Sequence, residues 1–571
     1  MLLLFLLLVF QVTLINAKPN IVFLVCESTD GRTWQRGYQN NTVPLPTLRK
    51  LEELGGTSFH RHYSNTPVCC PSRATFWSGR HAHHIPHVHN GIQVNGVWNN
   101  YEGLPSNFSN RIDQVLQRNG YDTKIFGKQD WTAGAHTVNV RLNAWTMYTQ
   151  FPYNQTKNGG WRDETPDCRS NGTVTSGNKS AHPKDWDQVS QGTDWLIQHH
   201  SDTSTPFFIY QGMNIVHPPY VTNEKYYNKI DPKRVSVPVW PSLDSLHPCD
   251  LQSSMLKGCI PSTEESANFY SIARRRRIRR IYYAMISEFD AMVGTYVDTV
   301  RNMGKMNNTI FIITSDHGDQ QMEHQQFYKM VPYEASASVP MIIYDGRKIQ
   351  DPNQSISFNV VDLPTQLIDI FPTIMEYAGV TDLPPGLDGH SLVSLVTPPA
   401  SASSTERPNF IVSQFHGDNI AMSWYLIVQP LQCLGDQSCM MKYVVYGTGK
   451  EVVSQLFDLS NDPDETKNLI HAEDYSNMVE TLDSNLRTVV DYPKVSLNVA
   501  QYNKDSMLGW MNATKHWKDQ IHAPDLRWTK SWNENANDSS LTALEKWISQ
   551  PTKVVGCRST VTFPSLKNEE L

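Results

Sequence analysis

One pattern constrains this chain more than any other: a short, continuous apolar run that stops at polar, chemically active residues. Asn20–Cys26 is such a run, and Glu27-Ser28-Thr29-Asp30-Gly31 follows it at once. Pro206–Tyr210 leads into Gln211–His217, Thr309–Thr314 leads into Ser315-Asp316-His317-Gly318, and Val339–Tyr344 has the same form. A strand covered on both faces needs apolar character that is continuous rather than alternating. Helical spacings lie between these runs. Ile278, Tyr282, Met285, Ile286, Phe289, Val293, Val297 and Val300 recur on one helical face, and residues 363–379 read as a helix broken near Pro372 and closed by Gly379. Strands alternating with helices predict an α/β protein with a mostly parallel sheet between helical layers. Ligands of such sheets bind beyond the carboxyl ends of the strands, where Glu27, His217 and Asp316 fall.

At 571 residues the chain exceeds what one core usually supports. The texture changes near residue 400. Pro398–Arg407 is rich in Pro, Ser, Ala and Thr, as a linker is, and shorter strand-like runs follow at Trp424–Val428 and Tyr443–Tyr446. We therefore expect a catalytic domain over residues 18–400 and a smaller α+β domain over 401–571. The arginines at 274–277, with Arg279 and Arg280, read as a solvated face at the start of the long helix.

Residues 1–17 read as a secretory leader, apolar but short for a membrane span, and no later stretch reaches spanning length. Asn40, Asn107, Asn154, Asn171, Asn178, Asn307, Asn353, Asn512 and Asn537 each head a glycosylation triplet, which fits a secreted or lysosomal glycoprotein. Nine cysteines leave at least one unpaired in an oxidising compartment; Cys433/Cys439 and Cys249/Cys259 are close enough in sequence to bridge. The net charge of −7 points to no nucleic-acid partner. Twenty histidines would drive the charge positive in acid, favouring a polyanionic substrate.

The sharpest motif is Cys69-Cys70-Pro71-Ser72-Arg73, followed by Ala74-Thr75-Phe76-Trp77-Ser78-Gly79-Arg80. It resembles the signature of the sulfatase family, Cys-x-Pro-Ser-Arg with a downstream Ser-Gly-Arg. The resemblance implies an alkaline-phosphatase-like fold, one Ca²⁺ per active site, and oxidation of Cys69 to formylglycine by the formylglycine-generating enzyme during biosynthesis. The chemical reason is plain. A thiolate attacking a sulfate ester forms an adduct with no easy exit, whereas a hydrated aldehyde has one hydroxyl to attack sulfur and another to expel sulfate later.

The resemblance also implies the surrounding residues. Asp316 and His317 match the family's second metal segment, and Cys69 itself completes the metal shell once converted. Asp316 offers the hard oxygen calcium favours, while His317 would be a weaker ligand or a sulfate contact. Where the family carries Asp-Asp after its first strand, this chain has Glu27-Ser28, with Asp30 two residues on. Glu27 keeps an anionic oxygen one methylene further out, and Asp30 supplies either a second carboxylate or an Asx turn. Phe126-Gly127-Lys128 and Phe327-Tyr328-Lys329 match segments whose lysines bind sulfate. Asp130 stands where a histidine usually follows Lys128, with His136 nearby as a candidate to fill that gap. His217, before Pro218, matches the leaving-group histidine, and His247, also before a proline, is a second candidate for substrate contact. Arg73 has the fork to orient carboxylates. Within the family, the adjacent cysteines, Phe126–Asp130 and Glu323–Lys329 resemble a lysosomal exosulfatase that removes 2-O-sulfate from glucuronate during glycosaminoglycan breakdown. Two rivals remain: a phosphodiesterase or phosphonate hydrolase on the same fold, and a non-catalytic glycan-binding relative.

Overall fold

The computed structural model describes residues 18–89, 92–98, 103–131, 172–177, 180–238, 240–242, 245–256, 271–350, 358–396, 407–417, 422–433, 438–520, 538–554 and 556–557. The leader, His136, Asn154, Asn171, Asn178, Asn353 and Asn537 lie outside them. So does most of the expected linker. Of the other triplet asparagines, Asn107, Asn307 and Asn512 are exposed, and Asn40 closes a short turn at Tyr38–Asn40.

The large sheet uses β1 (Asn20–Cys26), β2 (Thr57–Tyr63), β3 (Asp122–Gly127), β4 (Phe207–Gly212), β5 (Thr309–Ser315), β6 (Ser338–Asp345) and β7 (Asn359–Val361). Their order is β7-β2-β6-β5-β1-β4-β3, with a short strand at Thr365–Gln366 also paired to β2. β1 is parallel to β4 and β5, and β3 is parallel to β4; β6 alone runs against both its neighbours. The expected mostly parallel sheet is therefore present.

Every residue of β1 is buried. Val22, Leu24 and Cys26 enter one core with Met285 and Phe289; Ile21, Phe23 and Val25 enter the other with Phe76, Trp77 and Ile374. Two covered faces explain the unbroken apolar run.

Two local expectations need correction. The helix expected over 363–379 spans only Ile370–Tyr377, after a short strand and a tight turn. Pro372 sits in its first turn, where no intrahelical N–H is needed, so it starts the helix rather than breaking it. Gly379 does adopt the left-handed closing conformation, with φ of 69°. The arginine run is not simply a solvated face. On the long helix Ile272–Asn302, Arg275, Arg276 and Arg280 donate to the carbonyls of Pro238, Val235 and Ile230, and Arg279 is buried against Tyr283 and Glu323.

A second, antiparallel sheet runs β8 (Ile411–Phe415), β9 (Trp424–Gln432), β10 (Ser438–Tyr446), β11 (Gln455–Asp458). One face packs on helices Ser476–Val489 and Tyr492–Ala513 through Leu482, Leu486 and Val499. The other shares a core with Tyr63, Val68, Met330 and Tyr333 of the first layer. Cys433 pairs with Cys439. Cys249 pairs with Cys557 across 308 residues rather than with Cys259, a pairing that spacing could not reveal. Among the described residues no helix is long and apolar enough to cross a membrane.

Candidate active site

The carboxyl ends of three strands of the large sheet meet one helix and one loop. Glu27 leaves β1, Lys128 leaves β3 and Asp316 leaves β5; β2 leads into the helix Cys69–Ser78, which begins at Cys69. Arg73 lies four residues on and therefore on the same helical face. Lys329 comes from the loop between β5 and β6. Glu27 is further tied to the segment after β4 by paired backbone bonds, Glu27 N–H to Ile215 O and Val216 N–H to Glu27 O, both at 2.9 Å.

Cys69 Sγ is the centre. It donates to Glu27 Oε1 at 2.9 Å, accepts from Lys329 Nζ at 3.0 Å and lies 3.6 Å from His317 Nε2. Lys128 Nζ reaches Glu27 Oε2 at 2.6 Å and Asp130 Oδ2 at 3.1 Å. Lys329 Nζ is 3.6 Å, and His217 Nε2 3.8 Å, from Glu27 Oε1. Arg73 grips Asp316 Oδ2 through Nε at 3.0 Å and Nη2 at 2.9 Å, and its third nitrogen donates to Tyr210 Oη at 2.7 Å. Asp316 Oδ1 accepts from the backbone of His317 at 2.9 Å and of Ser28 at 3.3 Å. His317 Nδ1 faces its neighbour's carbonyl, Gly318 O, at 2.9 Å, which turns Nε2 toward the cluster. One ligand atom each from Glu27, Cys69, Asp316 and His317 lie within 4.8 Å of one another, all four residues buried.

The electrostatics follow from burial against charge. Burial pushes the Glu27 carboxyl up, but Lys128, His217, Lys329 and Arg73 together hold it well below the usual carboxylate range. Burial pulls Lys128 and Lys329 down, yet the acids and Cys69 around them raise both above an ordinary lysine. Burial pushes the Asp316 carboxyl up against the pull of Arg73. Burial, reinforced by Glu27, pushes the Cys69 thiol up to about 12 despite Lys329 and Lys128. An unmodified thiol held there stays protonated at neutral pH and is a poor nucleophile.

Backbone strain concentrates in the same place. Ser28 follows Glu27 with φ of 59°, and Asp130, two beyond Lys128, has φ of 52°. The loop carrying Lys329 holds Gln321, Met322, His324, Gln325, Tyr328 and Met330 at positive φ. Each costs roughly 1 kcal/mol or more for a residue with a Cβ. Tertiary contacts impose these conformations: Glu323 is ion-paired to Arg32 at 2.7 Å and Arg279 at 3.1 Å, Trp240 Nε1 donates to Met322 O at 2.6 Å, and Trp424 Nε1 donates to Met330 O at 3.0 Å.

Two predicted residues lie elsewhere. Asp30 is not in the cluster; it caps the turn Gly31–Trp34 and pairs with Arg32 at 2.8 Å, the Asx-turn alternative. His247 makes its contacts with Val453 O at 2.8 Å, the Cys249 N–H and the Tyr446 ring, all away from Cys69, because it opens the helix Pro248–Leu256. Tyr210 and Tyr328 belong to the site and were missed. Tyr210 lies inside an apolar strand and carries no local signal, whereas Tyr328 is next to Lys329.

A family profile described as Sulfatase matches residues 19–380. Arylsulfatase K of Xenopus laevis is 35% identical over 551 residues, 93% of this chain and 93% of that protein. The chain belongs to the sulfatase family. The human arylsulfatase K is 32% identical over 547 residues, 93% of this chain and 92% of that protein. A second profile, described as N-sulphoglucosamine sulphohydrolase, C-terminal, matches residues 322–491, and so spans the join between this sulfatase's two sheets. Among solved structures, the phosphonate monoester hydrolase of Agrobacterium radiobacter superposes with a TM-score of 0.61 at 20% identity, covering 82% of this chain and 95% of that one. A 2-O GAG sulfatase superposes at 0.56 and 18% identity, covering 84% and 93%. At those identities the structures establish the shared fold. This sulfatase is a sulfuric-ester hydrolase, and the cluster around Cys69 is its candidate active site.

Proposed function

We propose that this sulfatase acts through a formylglycine derived from Cys69, assisted by calcium, and removes 2-O-sulfate from glucuronate in glycosaminoglycans of the lysosome or the extracellular space. The observation that carries the reading is the convergence on Cys69 Sγ of an acid, Glu27, and a cation, Lys329, within 3.0 Å. Sγ marks where the oxygens of the converted side chain would sit. Once converted, the residue would supply a geminal diol, one hydroxyl attacking sulfur and the other later expelling sulfate. Cys69 is 3% exposed, so the modifying enzyme must reach it before the sheet closes over it.

The donor set fits a hard dication. Glu27 and Asp316 bring two buried carboxylates to one point, the converted Cys69 adds oxygen, and His317 Nε2 is a fourth, softer donor. Bound there, calcium would polarise the sulfate group of the ester. The other roles fall to the chain's own residues. Arg73 holds Asp316 in place. Lys128 and Lys329 would bind the charge on the sulfate oxygens. His217 Nε2, 3.8 Å from Glu27 Oε1, would take up a proton on substrate binding and pass it to the departing sugar oxygen. The sugar itself rests on the sequence resemblance of Phe126–Asp130 and Glu323–Lys329.

The test is mass spectrometry of the Cys69 peptide from cells that carry the modifying enzyme, read with sulfate release from 2-O-sulfated glucuronate disaccharides. An aldehyde with release, lost in Cys69→Ala, supports the whole reading. An aldehyde without release keeps the mechanism and rejects the sugar. Turnover of phosphonate esters instead would favour the phosphonate-hydrolase alternative, and an unmodified Cys69 would overturn the mechanism.

A further inference from the structure

The residue next to Lys329 makes contacts that sulfate binding does not require. Tyr328 Oη lies 2.7 Å from His217 Nε2, and the two rings meet edge to face with centroids 5.4 Å apart. The other imidazole nitrogen, Nδ1, faces the carbonyl of Pro218, which can only accept. Nδ1 therefore carries the proton of the neutral ring, and Nε2 accepts from the tyrosine hydroxyl. Nε2 is also the atom that faces Glu27 Oε1. The imidazole is thus held at both nitrogens, with its reactive edge turned to the cluster. Lys329 Nζ sits 4.4 Å from the centre of the Tyr328 ring, close enough for a cation–π contact. Tyr328 itself stands at φ of 80°, a conformation that an aromatic residue with a Cβ adopts only when its surroundings impose it.

We propose that Tyr328 is a positioning residue for His217. Its hydroxyl fixes the tautomer and the angle of the imidazole, and its ring separately supports Lys329. A hydroxyl can donate to a bare nitrogen or accept from a protonated one, so the contact survives whichever state His217 adopts. The side chain is only partly buried, unlike its neighbour Lys329. The proposal rests on the reading of His217 as the group that serves the leaving oxygen.

That role makes a prediction which mere structural support does not. A sugar alkoxide is a poor leaving group and needs a proton, whereas a nitrophenolate leaves with little help. Tyr328→Phe removes the hydroxyl and keeps the ring under Lys329. Wild type, Tyr328→Phe, His217→Ala and the double variant would be assayed on a sulfated sugar and on a nitrophenyl sulfate. We expect Tyr328→Phe to lower kcat about 30-fold on the sugar but only about 3-fold on the aryl ester, and the double variant to match His217→Ala within about 2-fold. Equal losses on both esters, no loss on either, or additive losses in the double variant would overturn the proposal. If wild type cleaves neither ester, the reading of function fails. The ¹⁵N shifts of the His217 ring then decide positioning alone: a change in Tyr328→Phe supports it, and unchanged shifts reject it.

Discussion

Two buried clusters of mixed charge lie on either side of the loop that carries Lys329, and they resolve the same problem in opposite ways. Around Cys69, three carboxylates (Glu27, Asp130 and Asp316) meet three cations, Arg73, Lys128 and Lys329. Between the two sheets, Glu334 and Glu465 share one cation: Lys442 Nζ lies 3.0 Å from Glu334 Oε1 and 2.7 Å from Glu465 Oε1. Tyr63 Oη donates to Glu334 at 3.0 Å, and the Glu334 N–H donates to Glu465 Oε2 at 2.6 Å. With one ammonium for two carboxylates, burial pushes the Glu465 carboxyl up to about 7, Lys442 opposing and Glu334 adding to the rise. The first cluster keeps Glu27 ionised because Lys128, Lys329 and Arg73 all act on it, one cation for each carboxylate present; the second takes up a proton near neutral pH. Retained charge is what binding a dication and an anionic ester requires. A proton-neutralised triad is what a packed interface requires.

The largest effect expected within this comparison is chemical and one-sided. Cys69→Ser should lower sulfate-ester turnover by about 10⁴-fold or more while leaving the thermal midpoint close to wild type, since the change is nearly isosteric. A comparable loss of stability would erase the distinction between the two clusters. Lys442→Met should do the reverse. Near pH 8 it strands two buried carboxylates and should cost about 3–5 kcal/mol in denaturant unfolding, because an unpaired buried charge is the expensive case.

Smaller effects sharpen the comparison through pH. A folded-state value raised from 4.5 to about 7 means that Glu465 contributes stability fully below the unfolded value and loses it as pH rises through about 7. Raising the pH from about 4.5 to about 8 should therefore cost wild type on the order of 2–3 kcal/mol more than it costs Glu465→Gln. His416, on β8's exit, works the other way. Burial presses its imidazole down from 6.5 to about 3, so its contribution is present above the unfolded value and lost as pH falls toward the folded one. Between about pH 6.5 and 5, wild type should lose about 2 kcal/mol more than His416→Gln. The smallest effect concerns the outlying acid. Asp30→Asn should leave calcium affinity within about 2-fold by calorimetric titration, whereas Glu27→Gln should weaken it about 10-fold or more.

His416 also bears on the expected gain of positive charge in acid. His62, His81, His83 and His317 are buried as well, and burial presses each of them down. These histidines resist protonation, so the acid-side charge rises less than a residue count implies. The count was legible in composition; which imidazoles see water was not.

The strands and the site could be read to different depths. β1 and β5 were visible as unbroken apolar runs because two covered faces demand them; those runs put Glu27 and Asp316 at strand ends, and the family resemblance gave them their metal role. Cys69, Arg73, Lys128 and Lys329 were visible because each sits in a motif a few residues long. Asp30 was harder: its neighbour Arg32, two residues on, captures it as a turn cap, and local spacing allowed either role. His247 precedes a proline just as His217 does. His217 already stood beyond a strand end in the sequence, whereas packing against Tyr446 and the carbonyl of Val453 is what holds His247 elsewhere.

Local order along this chain thus fixes whatever depends on neighbours within one turn or one strand: the apolar periodicity of the strands and the short motif that carries Cys69 and Arg73. Those choices are settled by steric and solvation terms that a few adjacent residues supply. The assembled centre depends on contacts between residues far apart in sequence: Cys69 with Lys329, Arg73 with Asp316, Lys442 with Glu334, Cys249 with Cys557. It also depends on holding six residues of the 321–330 loop at positive φ, which no short peptide of that composition would adopt alone. Burial, ion pairs and the second sheet offset that strain together, and they exist only after the whole chain has folded.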